Sequence, residues 1–252
     1  MTKPMIRVLG PIDVVTPDGV QSVGGHRPRA VLGALVVAAG HAVGIDHLAD
    51  VVWGETPPAS AANTLQSYVS DLRHVLGHDA IRTIDHSYEL DLDVVDIDVL
   101  DFQRTLRLAD IAEDDPAERW RLCRDALGYW RGRPFGDLSD EPAFTLESYR
   151  LDELRMAAVE LSLEADLELG HHELVVGELE SAVEEAPYRE RLWLLLVKAL
   201  ALDDRRVEAL RACSRLRRIL GEVGLEVGEE IAAIERSILD GAPLGAPDHD
   251  EH

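Results

Sequence analysis

The sequence predicts two unlike domains in tandem: an α+β winged helix-turn-helix, then an all-α, tetratricopeptide-like domain. Three observations predict this. Short β-branched runs bracket three helical stretches between residues 5 and 92. Trp53-Gly54 followed by Pro57-Pro58 sets a tight turn between two of those helices. Beyond residue 98 the chain reads as helical almost throughout, with matching positions 34 residues apart.

Ile6-Arg7-Val8-Leu9 and Ile12-Asp13-Val14-Val15 are strand-like runs split by Gly10-Pro11, and Asp18-Gly19 introduces a third, Val20–Val23. Gly24-Gly25 ends that small antiparallel sheet. From Pro28 to Ala39, Val31, Leu32, Leu35 and Val36 fall on one helical face, and Gly40 closes the helix. His41–Gly44 is an extended link, and Asp46 is the expected N-cap of a helix Leu48–Trp53. A long helix follows from near Ala59, with Leu65, Val69, Leu72 and Leu76 as its buried stripe and Gly77 as its C-cap. Ala80–Ile84 and Tyr88–Leu92 form a hairpin around Asp85-His86-Ser87, placed as a wing would be.

Residues 93–98 alternate acidic and apolar and are expected to be a connector, which sets domain boundaries at 1–98, 99–240 and a disordered tail 241–252. The second domain reads as helices at Val99–Ile111, Pro116–Trp130, Phe144–Leu169, His172–Glu185, Arg189–Leu202, Arg206–Glu222 and Val227–Asp240. Ala158 falls on Leu192, Ala165 on Ala199, Gly170 on Asp204 and Leu179 on Cys213, a period of 34 that suits tetratricopeptide helix pairs. Trp120, Trp130, Tyr149, Tyr188 and Trp193 are expected to fill the core or line a groove.

Composition narrows function. The formal charge is −23. Residues 1–98 hold six Lys and Arg against thirteen Asp and Glu, so the acidity reaches the candidate reading domain itself. Such a field repels nucleic acid at long range, and DNA contact then depends on the local face. The acid excess of the second domain suggests a basic partner, or simply a solvated surface. Cys123 and Cys213 sit in helical patterns and read as buried thiols, with no Cys-x-x-Cys for a zinc site. No signal peptide or membrane-length apolar run occurs, so a cytoplasmic protein is expected. His171-His172 and the histidines of the tail offer no fixed metal geometry, and no nucleophile, phosphate-loop or metallohydrolase motif is present. The expectation is a non-enzyme with neither cofactor nor metal.

The chemistry-bearing face is that of the long helix. Asn63, Thr64, Gln66, Ser67, Ser70, Asp71, Arg73 and His74 lie off its apolar stripe. Asn and Gln pair bidentately with adenine, Ser and Thr reach bases or phosphates, and Asp accepts from the cytosine amino group. The alternative is an ordinary solvated face.

With these pieces placed, the chain resembles the Streptomyces antibiotic regulatory protein family, whose members join an OmpR-like winged helix to a bacterial transcriptional activation domain. The resemblance spans roughly residues 5–240. It is carried by Val8–Pro11, Gly24–Ala30, Trp53–Pro58, Asn63–Ser70, Leu72-Arg73 and Leu76-Gly77, then by Ala126–Gly132, Pro134–Leu138, Arg189–Trp193 and Leu225–Glu230. It implies an activator of a biosynthetic gene cluster that binds double-stranded DNA at promoter direct repeats, as a homodimer on DNA, and recruits RNA polymerase through the helical domain. It implies that the long helix enters the major groove, where Asn63, Thr64, Ser67, Ser70, Asp71 and Arg73 are the candidate contacts, Asp71 lying either at a cytosine amino group or against a phosphate. Backbone and wing contacts would come from Arg27, Arg29, Arg82, Thr83, Ser87 and Tyr88. Three positions depart from the family pattern: Asp71 stands for a basic residue, Ser87-Tyr88-Glu89 for Gly-Tyr-Arg, and Gly228 for Pro. The first two remove positive charge where phosphate is expected. They motivate the competing reading, a protein-interaction module whose winged helix has lost DNA affinity.

Overall fold

A computed structural model describes residues 3–241. The predicted tail beyond Gly241, with its histidines, lies outside the described residues. The chain packs as two compact units, one of residues up to 108 together with 124–158, the other of 109–123 together with 159 onward.

In the first unit, β1 (Met5–Arg7), β2 (Asp13–Thr16) and β3 (Gly19–Gln21) form an antiparallel meander, with Ile6 opposite Val14. Three helices follow: α1 (His26–Val37), α2 (Ile45–Trp53) and α3 (Ala61–Leu76). Between them β4 (Val43–Gly44) pairs with the second strand of the hairpin β5 (Ile81–Ile84) and β6 (Ser87–Leu90). The core joins Ile6, Leu9, Leu32, Leu35, Leu48, Leu65 and Leu72, all fully buried. Gly33 sits inside α1, where a glycine costs helix stability. A Cβ there would lie 2.8 Å from the Phe144 ring, so the glycine lets that ring seat against the helix.

Two sequence expectations are corrected in this unit. Asp46 is not the N-cap of α2: the helix starts at Ile45, Gly44 holds the capping position, and Asp46 lies in the first turn. Residues 93–98 are not a free connector. Asp96-Ile97 form β7, which adds in parallel beside β1 and gives the sheet order β3-β2-β1-β7. Alternation in that stretch is the signature of a strand, and two residues are too few to announce one.

Directly after β7, Asp98 opens α4 (Asp98–Ile111) and is 1% exposed. Its carboxylate accepts the Val8 N–H at 2.9 Å and the Leu9 N–H at 3.0 Å, and the Arg131 guanidinium stands 3.9 Å away. Burial pushes this carboxyl up to about 6, against the pull of those N–H donors and of Arg131. Asp98 thereby holds the end of β1 to the start of α4, and this packing unit runs past residue 98.

Further helices are α5 (Pro116–Leu127), α6 (Pro142–Glu168), α7 (His172–Glu185), α8 (Glu190–Leu202), α9 (Arg206–Glu222) and α10 (Glu229–Asp240). α5 stops short of the predicted Trp130. The 34-residue repeat is visible in the second unit as repeated cap geometry. Gly170 and Asp204 both adopt positive φ, 83° and 57°. The next N–H donates to a carbonyl five residues back in each case, His171 to Asp166 and Arg205 to Leu200. Trp193 is buried, donates from Nε1 to the Pro187 carbonyl at 2.9 Å, and carries Arg215 over its ring. Tyr149 and Tyr188 are exposed at 68% and 58%, so of the two expected placements, core or groove lining, the core does not hold for them. Gly228 donates its N–H to Glu190 at 3.0 Å, a bond that proline could not make. Burial raises both Cys123 and Cys213 to about 11 and keeps them as thiols. Among the described residues no helix is long and apolar enough to cross a membrane.

Candidate nucleic-acid interface

The turn between α2 and α3 is built from its own sequence. α2 ends at Gly54, whose φ of 64° a side chain would disfavour and whose N–H closes on Asp50 at 2.8 Å. Trp53 stacks on Tyr68 of α3 with ring centroids 6.5 Å apart, and the Arg27 guanidinium of α1 lies over the Trp53 ring, 5.8 Å from its centre. This layered contact sets α3 against α1 and α2.

On α3, Leu65, Val69, Leu72 and Leu76 are buried, so the opposite face is forced outward. Asn63, Gln66, Ser67, Ser70, Asp71 and His74 are exposed, and Thr64 is half-buried. Two of the hydroxyls are turned back on the helix: Thr64 donates to Ser60 at 3.1 Å and Ser67 to Asn63 at 3.2 Å. Each keeps acceptor capacity and gives up its proton to the backbone. The outward set is therefore an uncharged hydrogen-bonding strip with one carboxylate, Asp71.

The predicted cations are placed differently from expectation. Arg73 points along α3 into the hairpin, donating from Nε and Nη2 to the Ile81 carbonyl at 2.9 and 2.7 Å and to Thr83 Oγ1 at 2.8 Å, above the Tyr88 ring. It fastens the wing to the helix. Tyr88 is 4% exposed beneath it, and Ser87 pairs with Gly44 of β4. Arg82 lies opposite Glu89 in the hairpin register, bonds that carboxylate and sits 3.2 Å from Asp91. The Glu89 bond holds its guanidinium pKa above the ordinary arginine value. Arg29 makes a bidentate pair with Asp137 at 2.8 and 2.9 Å. Arg7 is taken by Asp13, and Lys3 reaches the Leu92 carbonyl and Asp96. Of the six cationic side chains in residues 1–98, only Arg27 has neither a carboxylate nor a carbonyl partner among the described residues.

Sequence reasoning missed these pairings for a physical reason. Arg73 meets the hairpin through the angle at which α3 crosses it, and Arg29 meets a residue 108 positions away. The Arg82–Glu89 pair was within reach: a two-residue turn at Asp85-His86 places the two directly across from each other. The guanidinium end of this cluster is exposed, where ion pairs are weak, so Glu89→Gln/Asp91→Asn, which removes both carboxylates, should release Arg82. DNA affinity at low salt should then rise, and the plot of log K against log salt should steepen by about 0.9. An unchanged slope, measured by fluorescence anisotropy, would show that the wing does not touch phosphate.

A helix-turn-helix with an outward polar strip, a clamped hairpin and a following helical-repeat unit defines a DNA-binding transcriptional regulator. Residues 24–87 match the family described as transcriptional regulatory protein, C terminal, and residues 95–239 match the bacterial transcriptional activator domain. The chain is 33% identical to the regulatory protein DnrI of Streptomyces peucetius, over 94% of this chain and 93% of that one. It is 32% identical to the regulatory protein AfsR of Streptomyces griseus, over 92% of this chain and 24% of AfsR. A solved structure, Mycobacterium tuberculosis EmbR in complex with a low-affinity phosphopeptide, superposes with a TM-score of 0.88 at 29% identity, covering 97% of this chain and 67% of EmbR. The chain belongs to the Streptomyces antibiotic regulatory protein family. These relatives are regulatory proteins, and the larger ones carry further sequence beyond the part this chain spans.

Proposed function

We propose that this chain is a cytoplasmic, non-enzymatic activator of a biosynthetic gene cluster that binds promoter direct repeats as a homodimer and recruits RNA polymerase through its helical domain. The observation that carries this reading is the outward strip of α3, where Asn63, Gln66, Ser67, Ser70 and Asp71 stand together on a helix of 16 residues. Laid in the major groove, Asn63 and Gln66 suit adenine and Asp71 suits the cytosine amino group. Thr64, with its proton on Ser60, acts as an acceptor at the edge of that strip. Arg27 serves the backbone. Arg73, Thr83 and Tyr88 position the wing, while Arg82 and Ser87 face the flanking groove, Arg82 muted by Glu89.

The competing reading, an interaction module that has lost DNA affinity, is favoured by one specific observation: five of the six cations of residues 1–98 are engaged internally. A mobility-shift assay on the promoter of the neighbouring operon separates the two. Folded protein that gives no shift at low salt would favour the interaction module.

If the promoter reading holds, few phosphates are neutralised, so the slope of log K against log salt should be no steeper than about −4 per protomer. A slope near −8 would contradict this use of the basic residues. Asp71→Arg should strengthen binding to random-sequence duplex several-fold if that position lies against phosphate. If Asp71 instead reads a cytosine, the same change should weaken specific binding and shift base preference at one position.

A further inference from the structure

We propose that the outward face of α9 is a second contact for the DNA backbone, an inference that rests on the promoter-binding reading above. α9 carries five arginines against two glutamates, in the half of the sequence with the larger acid excess. Ala209, Ala212, Cys213, Leu216 and Leu220 hold its inner face in the core. Arg211, Arg215 and Arg218 lie opposite, all exposed, at i, i+4 and i+7, which spreads them along roughly 10 Å of helix.

Elsewhere the chain places a carboxylate one turn from an exposed arginine: Asp101 for Arg104, Glu118 for Arg121, Glu147 for Arg150, Glu208 for Arg205. The other two arginines of α9 are also engaged, Arg217 with Glu235 and Arg206 with the Ile238 carbonyl. Among the described residues, none of Arg211, Arg215 and Arg218 has a carboxylate in ion-pair reach, and Arg215 rests over the Trp193 ring at 5.1 Å. Like charges one turn apart oppose helix formation, and the row has in return only the Trp193 ring beneath Arg215 and the field of Glu208 on Arg211.

The chemistry of the face selects the partner. Ser214 lies exposed among the arginines with its hydroxyl proton on the Leu210 carbonyl at 2.9 Å, and the large apolar side chains exposed at the helix ends, Val207 and Val223, stand apart from the row. A protein contact needs a desolvated apolar centre, whereas a row of arginines takes phosphate oxygens. The demand also exists, because among the described residues up to 98 only Arg27 is without a carboxylate or carbonyl partner, and Arg82 is muted by Glu89.

The test uses full-length protein and a 40-base-pair random-sequence duplex, followed by fluorescence anisotropy across a salt series. In the double variant Arg211→Gln/Arg218→Gln, which spares the Trp193 stack, the slope of log K against log salt should become shallower by about 1.8, with a several-fold loss of affinity at low salt. Arg107→Gln, an exposed arginine on α4, should leave the slope unchanged and so control for net charge. Circular dichroism checks that the variants are folded, and Arg218→Gln alone, expected to move the slope by about 0.9, serves if the double variant is not. A wild-type protein that binds while the α9 variants keep its slope overturns this proposal and leaves the promoter reading standing. So does an unchanged slope with loss of transcription by purified RNA polymerase, which would assign the row to an acidic protein surface. A wild-type protein that does not bind at all overturns the promoter reading itself.

Discussion

Replacing Asp98 with alanine is expected to destabilise the protein by about 3 kcal/mol at pH 7.5, because it strands the Val8 and Leu9 N–H groups in the interior. Urea unfolding followed by tryptophan fluorescence reads this directly. Asp98→Asn should cost less, since its carbonyl oxygen replaces one acceptor while its amide faces the remaining donor. The pH dependence separates charge from shape. Burial, the largest influence, raises the Asp98 carboxyl from 3.8 in the unfolded chain to about 6 in the folded one. The folded state therefore favours the protonated form. The stabilisation from that proton is complete below about 3.8 and is lost as pH rises through about 6. Over the whole interval it amounts to about 3 kcal/mol. Between pH 7.5 and 5.5 the native protein should gain about 1 kcal/mol relative to Asp98→Asn. A difference that stays flat with pH would mean that the three hydrogen bonds, and not desolvation, set the ionisation of this carboxyl.

Trp193→Ala is the second large effect, at about 3–5 kcal/mol. Its indole is fully enclosed by the second unit, bonds the Pro187 carbonyl and supports Arg215 of α9. Trp193→Phe keeps most of the volume and loses the Nε1 bond, so a loss of about 1–2 kcal/mol is expected. Differential scanning calorimetry should show the alanine variant melting well below the native protein. A loss under 1 kcal/mol would mean that the surrounding leucines close the space that the ring leaves. Because Trp193 lies far in sequence from the helix-turn-helix, the variant also asks whether the activator segment must stay folded for promoter activity. Activity lost, with DNA binding retained through α3 but weakened by the share that the α9 arginines contribute, is the expected result.

The parts legible in the sequence were those whose cause is local. Gly54 and Pro57-Pro58 announce a turn because backbone conformation there depends on one or two residues. The Leu65, Val69, Leu72, Leu76 stripe announces a buried face because side-chain direction on a helix follows spacing alone. The match of Gly170 to Asp204 was readable for the same reason, a helix end repeated at a fixed interval. Asp98 and β7 were not legible, since a two-residue strand acquires its identity from β1, some 90 positions earlier. Tyr149 and Tyr188 show the converse: helical spacing does not say which of several faces meets the core.

The helix-turn-helix scaffold and the succession of helical pairs were thus determined by the chain's own periodicity and punctuation, and the outward strip of α3 came with them. What tertiary structure alone decided is the state of the charges. Arg29, Arg73 and Arg82 are all present in the sequence as candidate phosphate ligands, and the fold commits them to Asp137, to the Ile81 carbonyl and to Glu89. The row on α9 without ion pairs is likewise a product of the fold, which gives Arg217 a carboxylate and Arg215 only the Trp193 ring. A guanidinium reaches several ångströms in any direction on a flexible stem, so its partner is set by whatever the folded chain brings within that reach, and no local pattern encodes it.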